Sequence, residues 1–208
     1  MIDATTSIQG FLNAAAAKQP APGGGSVAAL AGALAASMGE MVLNYSVGKK
    51  SLVQFEPELK GALAEFTRAR ELLLALMTED QIAYEALTAA RKLPETSPTR
   101  QSEFNVALLA SIRVPQAMGA TALAILDLSE KLVEKVNHFL LSDLAVCCEL
   151  AMATVRCASY NVRANLPDLH DPSDREQIEQ SARRLVDRST AVIRKTIPAI
   201  WARHGKSA

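Results

Sequence analysis

Asp80 is the residue whose place in the chain most needs a chemical explanation. A seven-residue line runs Leu59, Phe66, Leu73, Asp80, Leu87. Seven residues are nearly two helical turns, so the carboxylate projects from the same face as its apolar neighbours. A charge on such a seam costs several kcal/mol unless it is paired or borders a wet cavity. Tyr84, one turn on, shares the face and can hydrogen-bond it. In a dry pocket burial raises the pKa of such a carboxyl, which suits proton transfer to or from a reacting group. Paired with Arg70, Arg91 or Arg113 it would instead be a structural ion pair, and the sequence leaves both roles open.

A second candidate is backbone rather than side chain. Pro22-Gly23-Gly24-Gly25-Ser26-Val27 opens an Ala/Gly-rich segment that runs to Gly48-Lys49-Lys50. Consecutive glycines let the chain approach another group closely. Ser26 is expected to cap the helix, whose first N–H groups attract an anion or an electron-rich carbonyl. Small residues at four-residue spacing, Ala28, Gly32 and Ala36, let two helix backbones come closer than usual. Gly48 reads as the C-terminal cap, with Lys49 and Lys50 where cations suit the helix dipole. A turn and a tightly packed helix would explain the same residues. No Gly-Lys-Ser/Thr closes the loop, and neither a third glycine nor a preceding strand makes a dinucleotide fingerprint.

Two further polar clusters follow. In Asn137-His138-Phe139-Leu140-Leu141-Ser142-Asp143, Ser142 is placed to cap a helix and Asp143 complements its dipole. In Asn161-Val162-Arg163-Ala164-Asn165, Arg163 and Asn165 are expected to cap the end of an apolar helix. Cys147, Cys148 and Cys157 have no zinc-like spacing and read as buried thiols. His138, His170 and His204 are scattered, so no metal site is expected.

The elements that position these groups read as helices throughout. Ile8, Phe11, Leu12 and Ala15 give a short opening helix. A long one is expected from Pro57 to Leu93, and another from about residue 100 to Lys135, kinked where Pro115 frees the carbonyl of Ser111. Leu144, Cys148, Ala151, Val155, Ala158 and Val162 mark the inner face of the next. Ser173-x-x-Glu176 reads as a capping box opening the last. Hydrophobic residues make up 49% of the chain but aromatics only 4%, which suits close packing of Ala- and Leu-rich helices.

The expected architecture is an all-α, single-domain bundle over residues 1–208, with long antiparallel helices. Surplus apolar faces and Trp201 suggest a homodimer, although Trp201 can equally dock on its own core. Lys+Arg and Asp+Glu both total 22, which argues for neither nucleic acid nor a membrane surface. No unbroken apolar run reaches membrane-span length and no leader is apparent, so a cytoplasmic protein is expected.

In this order the motifs resemble the formiminotransferase-cyclodeaminase C-terminal domain family, which includes stand-alone methenyltetrahydrofolate cyclohydrolases. The resemblance runs from the glycine block and Val47-Gly48-Lys49-Lys50 through Asp80-Gln-Ile-Ala83-Tyr84, Leu93-Pro94, Val114-Pro115 and Ser142-Asp143 to Asn161-Val162-Arg163-x-Asn165-Leu166. Ala145 stands where the family usually has Gly, and Asn137-His138-Phe139 where it often has Asn-Pro-Asn.

The resemblance implies a helical homodimer that hydrates 5,10-methenyltetrahydrofolate to 10-formyltetrahydrofolate. The alternatives are cyclisation of 5-formiminotetrahydrofolate with loss of ammonia, or a helical dimer that binds folate, or serves assembly, without turnover. The chain offers no transferase segment to supply a formimino group, which favours the hydrolase. Asp80 is expected as acid or base, with Asp143 next in line. Gly24, Gly25 and Ser26 would contact the pterin or its linker, and Asn137 and Asp143 its donor-rich edge. Lys49 and Lys50 would meet the glutamate carboxylates, with Tyr84, Ser142 and Arg163 completing the binding set. No tightly bound cofactor is expected beyond the tetrahydrofolate substrate itself.

Overall fold

The computed structural model describes residues 3–205. Within them lie α1 (Ile8–Ala16), α2 (Gly24–Asn44), α3 (Glu56–Lys92), α4 (Arg100–Leu132), α5 (Leu141–Asn165) and α6 (Pro172–Gly205), with short 3-10 turns at Lys50–Phe55, His138–Leu140 and Leu166–Asp168. The described residues contain no strand, so the all-α expectation holds. At 1.5 Å per residue α3 is about 55 Å long, and its 37 residues match the expected span to within a residue at each end.

The small-residue helix α2 lies at the centre, packed along α3 on one side and α5 on the other. Gly25, Gly32 and Gly39 recur every seven residues, and each of the three faces a side chain of the seven-residue line on α3. A Cβ on Gly39 would sit 2.3 Å from Phe66, one on Gly32 3.0 Å from Leu73, and one on Gly25 1.9 Å from the Asp80 carboxylate. Seven steps forward along α2 are thus matched by seven steps back along α3. Three knobs of the long helix sit in three glycine notches, and Asp80 fills the last.

Phe66 and Leu73 are fully buried there, continuous with Leu43, Leu59, Met118, Leu126 and Leu144 in the main core. A smaller cluster of Leu87, Ala107, Leu108, Ile112, Val162 and Leu166 closes the end beyond Asp80. All six inward residues expected on α5 are buried.

Several local expectations change. Ser26 does not cap α2: the helix begins at Gly24, Gly23 is the N-cap, and the Ser26 hydroxyl reaches across to α3 instead. Gly48 is not the residue after the helix. α2 ends at Asn44, and Gly48, at φ 79°, turns the chain four residues later with its N–H donating to Glu56. Ser142 is not a cap, because α5 starts one residue earlier. Nor do Ser173 and Glu176 form a capping box: α6 starts at Pro172, and the Asp171 carboxylate accepts from the Ser173 N–H.

α4 ends at Leu132 rather than Lys135 and runs without a break across Pro115. The Ser111 carbonyl that Pro115 leaves without its helical donor accepts from the side-chain amide of Asn165 at 3.1 Å. On α1 only Phe11 is buried, while Ile8 and Leu12 stay exposed. Near the C-terminus Ile200, not Trp201, enters the core; Trp201 is half exposed and stacks edge-on against His204.

By length and composition, three helical stretches (Gly24–Asn44, Arg100–Leu132 and His138–Asp168) are apolar enough to cross a membrane, against the expectation from unbroken runs. Isolated serines, threonines and charges interrupt those runs, yet the mean hydropathy of each stretch stays between 1.3 and 1.6. In the bundle about half of each stretch is buried against neighbouring helices.

Candidate active site

At the N-terminal end of α2 the last glycine notch opens into a cavity of about 250 Å³. Its walls are the loop of Pro20, Ala21 and Gly23–Gly25, the Asp80–Arg91 stretch of α3, Ser111 of α4, and Asn161, Ala164 and Asn165 of α5. The Ala21–Pro22 peptide in the loop is cis.

The Asp80 carboxylate lies against the Gly25 backbone and accepts from the Ser26 hydroxyl at 3.0 Å. No ion pair among the described residues includes it. Arg70 pairs with Glu40 and Arg91 with Asp168, which excludes two of the three arginines as its structural partner. Burial pushes its carboxyl above the ordinary range, while the Ser26 hydroxyl and backbone N–H pull partly the other way. A more basic carboxylate beside a cavity is suited to taking a proton from water.

Facing it are donors. Gly23 supplies no side-chain cap, and the first intrahelical bond runs from the Val27 N–H to the Gly23 carbonyl. The N–H groups of Gly24 and Gly25 precede that bond, so they are the helix donors available to a ligand. Tyr84 lines the same cavity, half exposed, with no hydrogen bond to Asp80.

Ten of the eleven expected site residues divide into two groups, with Arg163 in neither. Gly24, Gly25, Ser26, Asp80 and Tyr84 come together. Lys49, Lys50, Asn137, Ser142 and Asp143 lie at the far end of α2 and the start of α5, and α2 alone is about 30 Å long. There the Asn137 side chain is engaged in structure: it accepts from the Phe139 N–H and donates to the Tyr45 carbonyl, while its backbone N–H donates to Ser46. Arg163 is close in sequence to the cavity but turns away. Its guanidinium pairs with Glu179 of α6 at 3.0 Å, so it neither caps α5 nor lines the cavity.

Three amide side chains of the cavity are outside the expected binding set: Gln81, and Asn161 and Asn165, whose cluster reads in sequence as a helix end. Asn161 and Asn165 lie four apart, one on each side of Arg163, so a helix that points Arg163 outward turns both of them to the same inner wall. That spacing was the available signal. Gln81, 1% exposed and bonded to the Met77 carbonyl, follows Asp80 directly and gave none.

Comparison with known proteins places the chain as a whole. Residues 7–184 match the family model described as formiminotransferase-cyclodeaminase. The chain is 34% identical over 175 residues to the methenyltetrahydrofolate cyclohydrolase of Methylorubrum extorquens, covering 82% of this chain and 84% of that one. It is 29% identical over 187 residues to the formimidoyltransferase-cyclodeaminase of Gallus gallus, of which it spans 35%. Among solved structures, the formiminotetrahydrofolate cyclodeaminase of Thermotoga maritima superposes with a TM-score of 0.81 at 27% identity, over 96% of both chains.

Proposed function

Since the chain belongs to the formiminotransferase-cyclodeaminase family, we propose that it is a methenyltetrahydrofolate cyclohydrolase, with Asp80 as its general base. The observation that carries this reading is an unpaired, partly buried carboxylate held against a glycine notch at the edge of a cavity. The one-carbon bridge of 5,10-methenyltetrahydrofolate is a cation, which a carboxylate in a low-dielectric wall attracts.

Water adds its oxygen to the bridge carbon as Asp80 takes one of its protons, giving a neutral carbinolamine. The bond from that carbon to N5 then breaks. Asp80 returns its proton to N5, and the hydroxyl proton leaves to solvent as the formyl C=O forms on N10. One proton is released overall, as the conversion of a cation and water to a neutral formyl compound requires. The N–H groups of Gly24 and Gly25 are suited to the oxygen on which electron density grows.

The test is turnover of 5,10-methenyltetrahydrofolate by wild type and Asp80→Asn, with folding followed by circular dichroism. Loss of at least 100-fold in kcat in a folded variant is expected. A wild type no faster than the spontaneous reaction refutes the enzyme, and equal rates move the base away from Asp80.

A second reading, cyclodeaminase, is favoured by the Thermotoga maritima structure of that name. Ammonia release from 5-formiminotetrahydrofolate distinguishes it. Binding without either turnover would leave a folate-binding helical protein.

The proposal includes a homodimer in the cytoplasm, with no tightly bound cofactor. An apolar groove of about 570 Å³ between α3 and α4, where Ile82 and Val106 stand exposed, supports pairing. Light scattering that finds only monomer would remove that part.

A further inference from the structure

We infer that Asn161 and Asn165 select a cationic one-carbon unit over a neutral one, because each amide turns its nitrogen to the backbone and leaves its oxygen for the ligand. The inference rests on reading the cavity as a folate site. Both residues line it, beside the loop that receives Asp80.

Asn165 donates to the Ser111 carbonyl at 3.1 Å and to the Asn161 carbonyl at 3.0 Å. Both partners are acceptors only, so the side-chain nitrogen must face them and its two protons are committed. What this amide presents to the cavity is therefore its carbonyl oxygen. The lock follows from Pro115, since the Ser111 carbonyl needs a donor only because Pro115 has no N–H.

Asn161 is oriented by one such bond rather than two. Its amide donates to the Cys157 carbonyl at 2.9 Å, which fixes the nitrogen. Its oxygen then lies 3.5 Å from the place a Gly24 Cβ would occupy, nearer than its own nitrogen. Asp80 and Asn161 thus flank consecutive residues of the glycine loop.

Asp80 on the α3 wall and Asn161 and Asn165 on the α5 wall thus turn acceptors to the cavity, apart from the Gly24 and Gly25 N–H groups and the Tyr84 hydroxyl. The cation that lines it, Arg91, is paired with Asp168. A wall of carboxylate and amide oxygens stabilises a positively charged amidine. These three side chains give nothing to a neutral formyl oxygen, which is itself an acceptor and is left to the Gly24 and Gly25 N–H groups. On the proposed reaction these acceptors favour the cationic substrate over the neutral product.

The experiment compares binding of 5,10-methenyltetrahydrofolate, a cation, with 5-formyltetrahydrofolate, neutral and stable, by rapid mixing at about pH 6, read in the binding phase before the cation is hydrated. Wild type is expected to bind the cation at least tenfold more tightly. Asn161→Leu removes the acceptor and should cut that ratio about tenfold, whereas Asn161→Asp keeps an acceptor and should preserve or raise it. Both variants lose the bond to Cys157, so a purely structural role moves them together. Such parallel change, or a wild-type ratio near one, overturns the inference and leaves the folate site standing. Failure of wild type to bind either ligand overturns the folate reading itself. Asn165→Leu is the weaker probe, since it also strips the Ser111 carbonyl of its donor.

Discussion

Gly25→Ala separates the geometry of the site from the stability of the bundle. The added methyl would stand 1.9 Å from one Asp80 oxygen and 2.7 Å from the other. Folded proteins essentially never show such contacts under 3.0 Å, so the carboxylate must retreat by about 1.1 Å, the step from 1.9 to 3.0 Å. It has somewhere to go, because Asp80 borders the cavity and turns by rotating its side chain. The stability change should stay within about 1 kcal/mol, helped by the better helix propensity of alanine. The rate should fall about 100-fold, the usual result of misplacing a reacting group by about 1 Å.

Gly39→Ala is the control on the same seam. Its methyl would lie 2.3 Å from the Phe66 ring, which is fully buried and has no cavity to enter, so overpacking of about 1–3 kcal/mol is expected. Turnover per folded molecule should be unchanged. Loss of the methenyl absorbance gives the rate and urea denaturation the stability. A Gly25→Ala enzyme with wild-type kcat, or one whose activity merely tracks its folded fraction, would refute the account of Asp80.

The raised pKa of Asp80 fixes the sign of two pH effects. The fold favours the neutral acid, so that contribution to stability is complete below the unfolded-state pKa and is lost as pH rises through the folded one. Asp80→Asn should therefore be more stable than wild type at pH 8, by about 0.5–2 kcal/mol, with the gap closing toward pH 4 in urea titrations. The kcat for hydration should rise with pH through that raised value; a flat acid limb would count against a base at this position. Arg163→Met should cost roughly 0.5–1 kcal/mol through Glu179, leaving KM unaltered, whereas a higher KM would restore Arg163 to the ligand. Burial pushes the Cys147 thiol up and the Cys148 thiol up to about 12. Alkylation of native protein at pH 8 followed by mass spectrometry should thus modify half-buried Cys157 and spare both, and rapid labelling of Cys148 would contradict the packing of α5.

The helices were legible because their apolar spacing is long and regular, and Asp80 was legible because it breaks such spacing. Caps were less so: Ser26, Ser142 and Ser173 all have the chemistry of an N-cap, and sequence does not reveal that a helix starts one or two residues earlier. The glycine notches are only half legible. Gly25, Gly32 and Gly39 form a seven-residue line complementary to that of Phe66, Leu73 and Asp80, but pairing them requires the register between two helices. Nor does a single chain order say which polar clusters meet. Asn137, Ser142 and Asp143 share the order of motifs with Asp80 yet lie a helix length away, while Asn161 and Asn165 join it through the antiparallel return of α5.

The seam between α2 and α3 also governs how the site comes apart. Many binding loops open locally at little cost, well before the body of the protein unfolds. Here the carboxylate is the terminal rung of a ladder whose other rungs, Leu73 and Phe66, are core. Sliding Asp80 along the helix axis would drag both out of their notches. Its position along that axis should persist until the bundle melts as a unit, so heat should end catalysis and cooperative structure at the same temperature.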